Sequence, residues 1–167
     1  MKRTFTKITA MILALCICLF SLISCGDNGP KLTEEMIRSE LVDSDGEMEG
    51  TLTITEGDAQ NVKAFKYEVT GINAAKVQDQ SVLKNAVDTL MSDPGKLTYN
   101  ELRACNAFLA VLNVIAVFCG DDDFDSNALI NDILSIICNG STKTYDNWSV
   151  SASVDEDSDS IIVKAAK

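Results

Sequence analysis

The chain is 167 residues long, with 14 basic and 25 acidic residues, no histidine and a net charge of −11 at neutral pH. A surface that acidic repels phosphate backbones and anionic headgroups, which argues against nucleic acid as a partner. The lack of histidine removes the commonest general base and metal ligand.

The amino terminus carries Lys2, Arg3 and Lys7 and no acid, followed by "ITAMILALCICLFSLIS", a nearly unbroken apolar run of about 17 residues. A basic start, a short apolar stretch and small residues at its end describe an export signal rather than a fold element. The ending is Leu22-Ile23-Ser24-Cys25, followed at once by Gly26 and Asp27. This segment resembles the lipobox of bacterial lipoproteins, where apolar and small residues precede an obligatory cysteine. The resemblance implies that Cys25 receives a diacylglyceryl group and becomes the first residue after cleavage, with residues 1–24 as signal peptide. Acylation by two or more chains holds a protein stably on a membrane, at about 0.8 kcal/mol per buried methylene. The resemblance covers this segment alone and implies an anchored location on the exported face of the cell membrane or outer membrane. Loss of the three basic leader residues would take the net charge from −11 to −14.

Residues 25–31 then read as a lipidated tether, and residues 32–167 as one domain, a length that suits a single core. "LTEEMIRSELV" predicts a short helix with Thr33 as N-cap and Met36, Ile37 and Leu41 on one side. Asp43-Ser44-Asp45-Gly46 stops it. "GTLTITE" (50–56) and "VKAFKYEV" (62–69) alternate apolar and polar residues, so they predict a β-hairpin with Phe65, Tyr67 and Val69 on one face.

A helical middle follows. "QSVLKNAVDTLM" (80–91) repeats apolar residues at helical spacing. Thr98 and Glu101 form a capping box that opens a helix over 99–118, apolar nearly all round and therefore expected at the centre of the core. A third helix over 126–138 ends at Asn139-Gly140. The chain closes with "YDNWSVSASV" and "SIIVKAA", a second hairpin joined by an acidic turn, with Trp148, Val150, Ala152 and Val154 on the inward face. The expected fold is α+β: a two-layer domain with a four-stranded antiparallel sheet packed on about three helices, in the order β-β-α-α-α-β-β.

Chemistry-bearing constellations are few. The motifs for a serine elbow, a zinc protease, a dinucleotide site or a phosphate loop are absent. Asp121, Asp123, Asp125, Asn127 and Asp132 fall at positions 1, 3, 5, 7 and 12 of a helix–loop–helix calcium loop, and clustered oxygens are what hard cations want. Ser126 replaces the loop glycine and Asp132 is shorter than the bidentate glutamate, so the stretch reads as an acidic connector capping the next helix. No metal or other cofactor is expected beyond the lipid on Cys25. If the helices over 99–118 and 126–138 fold back about a turn near residue 122, Cys105 and Cys138 come side by side. They are then candidates for a disulfide, with Cα atoms within about 4.4–6.8 Å. With no histidine or basic cluster to activate a thiolate, a catalytic cysteine is not expected.

These features favour a tethered, non-catalytic binding module for a protein or a glycan. Two alternatives are a hydrolase of envelope polymers working through carboxylates alone, and a structural subunit of a membrane complex.

Overall fold

Two stretches of alternating residues from opposite ends of the chain meet in the middle of one sheet. A computed structural model describes residues 31–42, 47–118 and 126–167. Its strands are β1 (Thr51–Asp58), β2 (Asn61–Thr70), β3 (Lys143–Tyr145), β4 (Trp148–Asp155) and β5 (Ser160–Ala166), in the antiparallel order β1-β2-β5-β4-β3. The β2–β5 pairing sets Phe65 opposite Ala165, Tyr67 opposite Val163 and Val69 opposite Ile161. All six are buried, so the seam between the two hairpins is fixed by side chains that must share one apolar face.

The sheet has five strands rather than the expected four. The additional edge strand β3 reaches β4 through the two-residue turn Asp146-Asn147, whose φ angles are 40° and 70°. Both residues positive in φ is the requirement of the tight hairpin turn whose twist matches its strands. Asp and Asn meet it without glycine, and that disguised the turn as the start of a strand.

The helices are α1 (Glu34–Leu41), α2 (Ala74–Val77), α3 (Gln80–Ser92), α4 (Tyr99–Ala116) and α5 (Ser126–Asn139), with a 3₁₀ turn over Pro94–Lys96. Thr33 caps α1, accepting from the Met36 N–H at 3.2 Å. Thr98 and Glu101 form the expected box: the Thr98 N–H donates to the Glu101 carboxylate at 2.9 Å, and the Glu101 N–H donates to the Thr98 hydroxyl at 3.3 Å. The single turn α2 was not expected. It follows Asn73, held at φ 59°, and four residues are too few to show a helical period.

Helix α4 lies against the sheet and against α1, α2, α3 and α5. That placement is why a helix with apolar residues nearly all round is stable here, burying Ala104, Cys105, Ala107, Phe108, Val111, Val114 and Ile115. It stops at Ala116, so Val117 and Phe118 lie beyond its last turn. Trp148 is 6% exposed and stacks on Phe118 with ring centroids 4.7 Å apart, while Phe65 lies 6.1 Å away. It therefore occupies the inward face of β4, as the alternation requires.

Candidate functional site

A shallow recess lies where α1, the segment 47–50, β2 and α4 converge. Position comes first from α1, which is tied to the first hairpin by two backbone hydrogen bonds of 2.9 Å, Glu34 N–H to Ala59 and Val62 N–H to Leu32. A bridge between Val42 and Met48 then turns the chain back over the sheet. Gly50 lets it pass: a Cβ there would stand 2.5 Å from the Glu68 carbonyl and 2.6 Å from the Tyr67 ring. No other residue fits that crossing.

The recess is shallow, with a cavity volume of about 10 Å³, room for about one water molecule. That is below the range of clefts that hold drug-sized ligands. Its apolar walls are Leu41, Val69, Leu109 and Ala110, and its polar groups are Glu47, Glu49, Tyr67, Asn106 and Asn113. No basic residue is among them. Asn106 and Asn113 stand two turns apart on α4, on the side that α1 and β2 approach. Asn113 is only 9% exposed. The Tyr67 hydroxyl accepts from the Gly50 N–H; burial first, and the nearby Glu49 carboxylate second, push its pKa up to about 12.

A second polar cluster ties α4 to two turns. The Arg103 Nε–H donates to the Gly71 carbonyl at 2.8 Å, and its guanidinium pairs with the Asp159 carboxylate. Asp159 also accepts the Ala74 N–H at 2.8 Å, the first of α2. Asp159 and Asn73 both adopt positive φ, at 49° and 59°. The cluster is a structural knot at one end of the sheet. Nothing in the sequence marks Arg103, because its partners are set by turns remote in the chain.

The outer face of the sheet is a third surface. Across four strands the register aligns Thr53, Lys66, Lys164 and Ser151, and beside them Thr51, Glu68, Ile162 and Ser153. Ala64, Ala166, Ser149 and Thr144 continue the pattern. All of these are exposed or half-buried. Lys66 pairs with Glu68 at 3.6 Å, whereas Lys164 has no ion pair among the described residues.

Cys105 and Cys138 are free thiols, so the candidate disulfide is not formed. The reason is the insertion of α2 and α3 beside the helical pair. Cys105 is buried with Ala86 and Leu90 of α3 and Leu97, while the Cys138 S–H donates to the Val77 carbonyl at 3.3 Å. Burial, with Glu101 nearby, pushes the Cys105 pKa up to about 12, and burial raises that of Cys138, so neither is an activated thiolate. Cys119 lies outside the described residues.

Of the calcium-loop residues, Asp121, Asp123 and Asp125 also lie outside the described residues. Asn127 and Asp132 belong to α5, which begins at Ser126, and Asp132 pairs with Lys143 at 2.6 Å, joining α5 to β3. Among the described residues no group of three or more acidic or cysteine side chains is arranged to hold a metal ion. The lipobox and Cys25 lie outside the described residues, and within them no helix is long and apolar enough to cross a membrane. The chain matches no protein family, no curated protein and no solved structure.

Proposed function

We propose that this chain is a lipid-tethered, non-catalytic binding module that holds a protein or glycan ligand on the outer face of its sheet. The observation that carries the reading is the aligned row Thr53, Lys66, Lys164 and Ser151 with its neighbours. Strands lie about 4.8 Å apart, so such rows present a regular lattice of short donors and acceptors. Threonine and serine side chains lose little rotamer freedom when a ligand fixes them. In a chain of net charge −11, the aligned rows of this face carry two lysines against one acid, Glu68, so a partner meets them with less of the repulsion of the surrounding surface.

Tethering rests on Leu22-Ile23-Ser24-Cys25. Replacing Cys25 with Ala is expected to leave unprocessed precursor without acyl label; unchanged labelling and size would end that part of the reading. The ligand is tested by capture from native membranes, comparing the unaltered chain with a Lys66→Glu, Lys164→Glu double variant of unchanged circular dichroism. A ligand retained by the first and lost by the second supports the sheet face. Equal retention by both refutes it.

A further inference from the structure

We infer that the Asn139–Gly140 bond at the end of α5 is a site of self-modification, where Asn139 becomes aspartate and isoaspartate without an enzyme. A clasp between Ser135 and Ser141 sets the pace. This rests on neither the tether nor the sheet face. In the reaction the Gly140 backbone nitrogen attacks the Asn139 side-chain carbonyl carbon. A new C–N bond closes a succinimide ring, the Cγ–Nδ2 bond breaks, and the proton of the attacking nitrogen leaves with the amide as ammonia. Water then opens the ring at either carbonyl. One opening gives aspartate; the other routes the backbone through the side chain and gives isoaspartate.

Several observations single out this bond. Both residues are exposed, so water reaches the side-chain amide. Gly140 lies at φ 61°, and a Cβ there would meet nothing within 4 Å, so no neighbouring group crowds the attack. Among the described residues every other asparagine precedes a residue that carries a side chain. Asn139 is also the last residue of α5, where the final carbonyls have no partner further along the helix. Turning its ψ to bring the Gly140 nitrogen to the side chain therefore breaks no later helical turn. What opposes the turn is local. The Ser141 N–H donates to the Ser135 carbonyl at 3.3 Å, and the Ser141 hydroxyl donates to the Ser135 hydroxyl at 2.9 Å. Together they close a loop around Gly140 that must open before nitrogen and carbon can meet. Either product places a carboxylate at the negative end of the helix dipole. Isoaspartate also lengthens the backbone between α5 and β3, a junction that the Asp132–Lys143 pair spans at 2.6 Å.

The test keeps the full chain folded in detergent micelles in mildly alkaline buffer. The proteolytic peptide that contains Asn139 is followed over time by mass spectrometry. A steady gain of the amide-to-acid mass difference at Asn139 is expected, with isoaspartate and aspartate both identified by fragmentation. Asn139→Gln, whose longer side chain closes its ring far more slowly, should lose that gain. Ser141→Ala removes the hydroxyl of the clasp and should raise the rate in the folded chain about two- to tenfold, the factor that one hydrogen bond is worth. In urea, where the clasp is gone, the unaltered chain and Ser141→Ala should react equally fast, and faster than either does when folded. No mass gain at Asn139 in the folded chain, a gain without isoaspartate, or an unchanged folded rate in Ser141→Ala would each overturn the inference. So would a Ser141→Ala difference that persists in urea.

Discussion

Trp148 is held by two aromatic rings from different parts of the chain, Phe65 of β2 and Phe118 beyond the end of α4. Its removal would open a cavity where sheet and helices join. Trp148→Ala is expected to destabilise the domain by roughly 3–5 kcal/mol, read from urea unfolding followed by circular dichroism. Ionisation is the other lever at this scale. Burial keeps the Cys105 thiol and the Tyr67 phenol protonated up to about pH 12, against ordinary values of 9.0 and 10.0. Between these limits the folded chain retains protons that the unfolded chain has lost. The stability linked to them is therefore complete below about pH 9 and falls as pH rises toward about 12. Urea midpoints measured across that window should drop steadily. Cys105→Ala should flatten the drop from its beginning near 9, and Tyr67→Phe only above 10; parallel curves for all three proteins would contradict this.

Elements differ in how openly the sequence declares them. The α4 start is local: Thr98 and Glu101 are three residues apart, and their reciprocal hydrogen bonds need nothing else. Thr98→Ala should cost about 1 kcal/mol, measurable as a lower urea midpoint, and Thr98→Ser should restore most of it. The alternating strands were equally legible, because each has one wet face and one dry face. What escaped was set by context. The β3 turn uses Asp146 and Asn147 at positive φ where glycine would have announced it. The turn α2 hangs on Asp159, 85 residues from the N–H it accepts. The expected Cys105–Cys138 pairing treated two helices as a closed hairpin, whereas α3 packs onto the Cys105 side of α4. Asn113 was visible only as an exception in an apolar helix; its cleft needs Leu41, Glu49 and Tyr67, which the fold alone assembles.

For the molecule as a whole, the defining feature is that β5, the last element in chain order, is the middle strand of the sheet. It joins a hairpin that begins at Thr51 to one that begins at Lys143. A chain stopped after Asp155 keeps β1–β2 and β3–β4 but loses every cross-strand pair between them. Such a chain is expected to lack near-ultraviolet circular dichroism and to leave Trp148 fully accessible to a polar fluorescence quencher; a quencher-protected Trp148 would contradict the central role of β5. Order of synthesis gives this placement a temporal meaning. Contacts so distant along the chain close slowly. Until Ser160–Ala166 emerges, the domain has no complete core to fold around. Under the proposed tethering, a nascent chain still open at Ser160 would pass a membrane channel without first being unfolded, while the β5 partners of Phe65, Tyr67 and Val69 are not yet in place. The same seam that gives the finished protein its core sets the interval before that core can close.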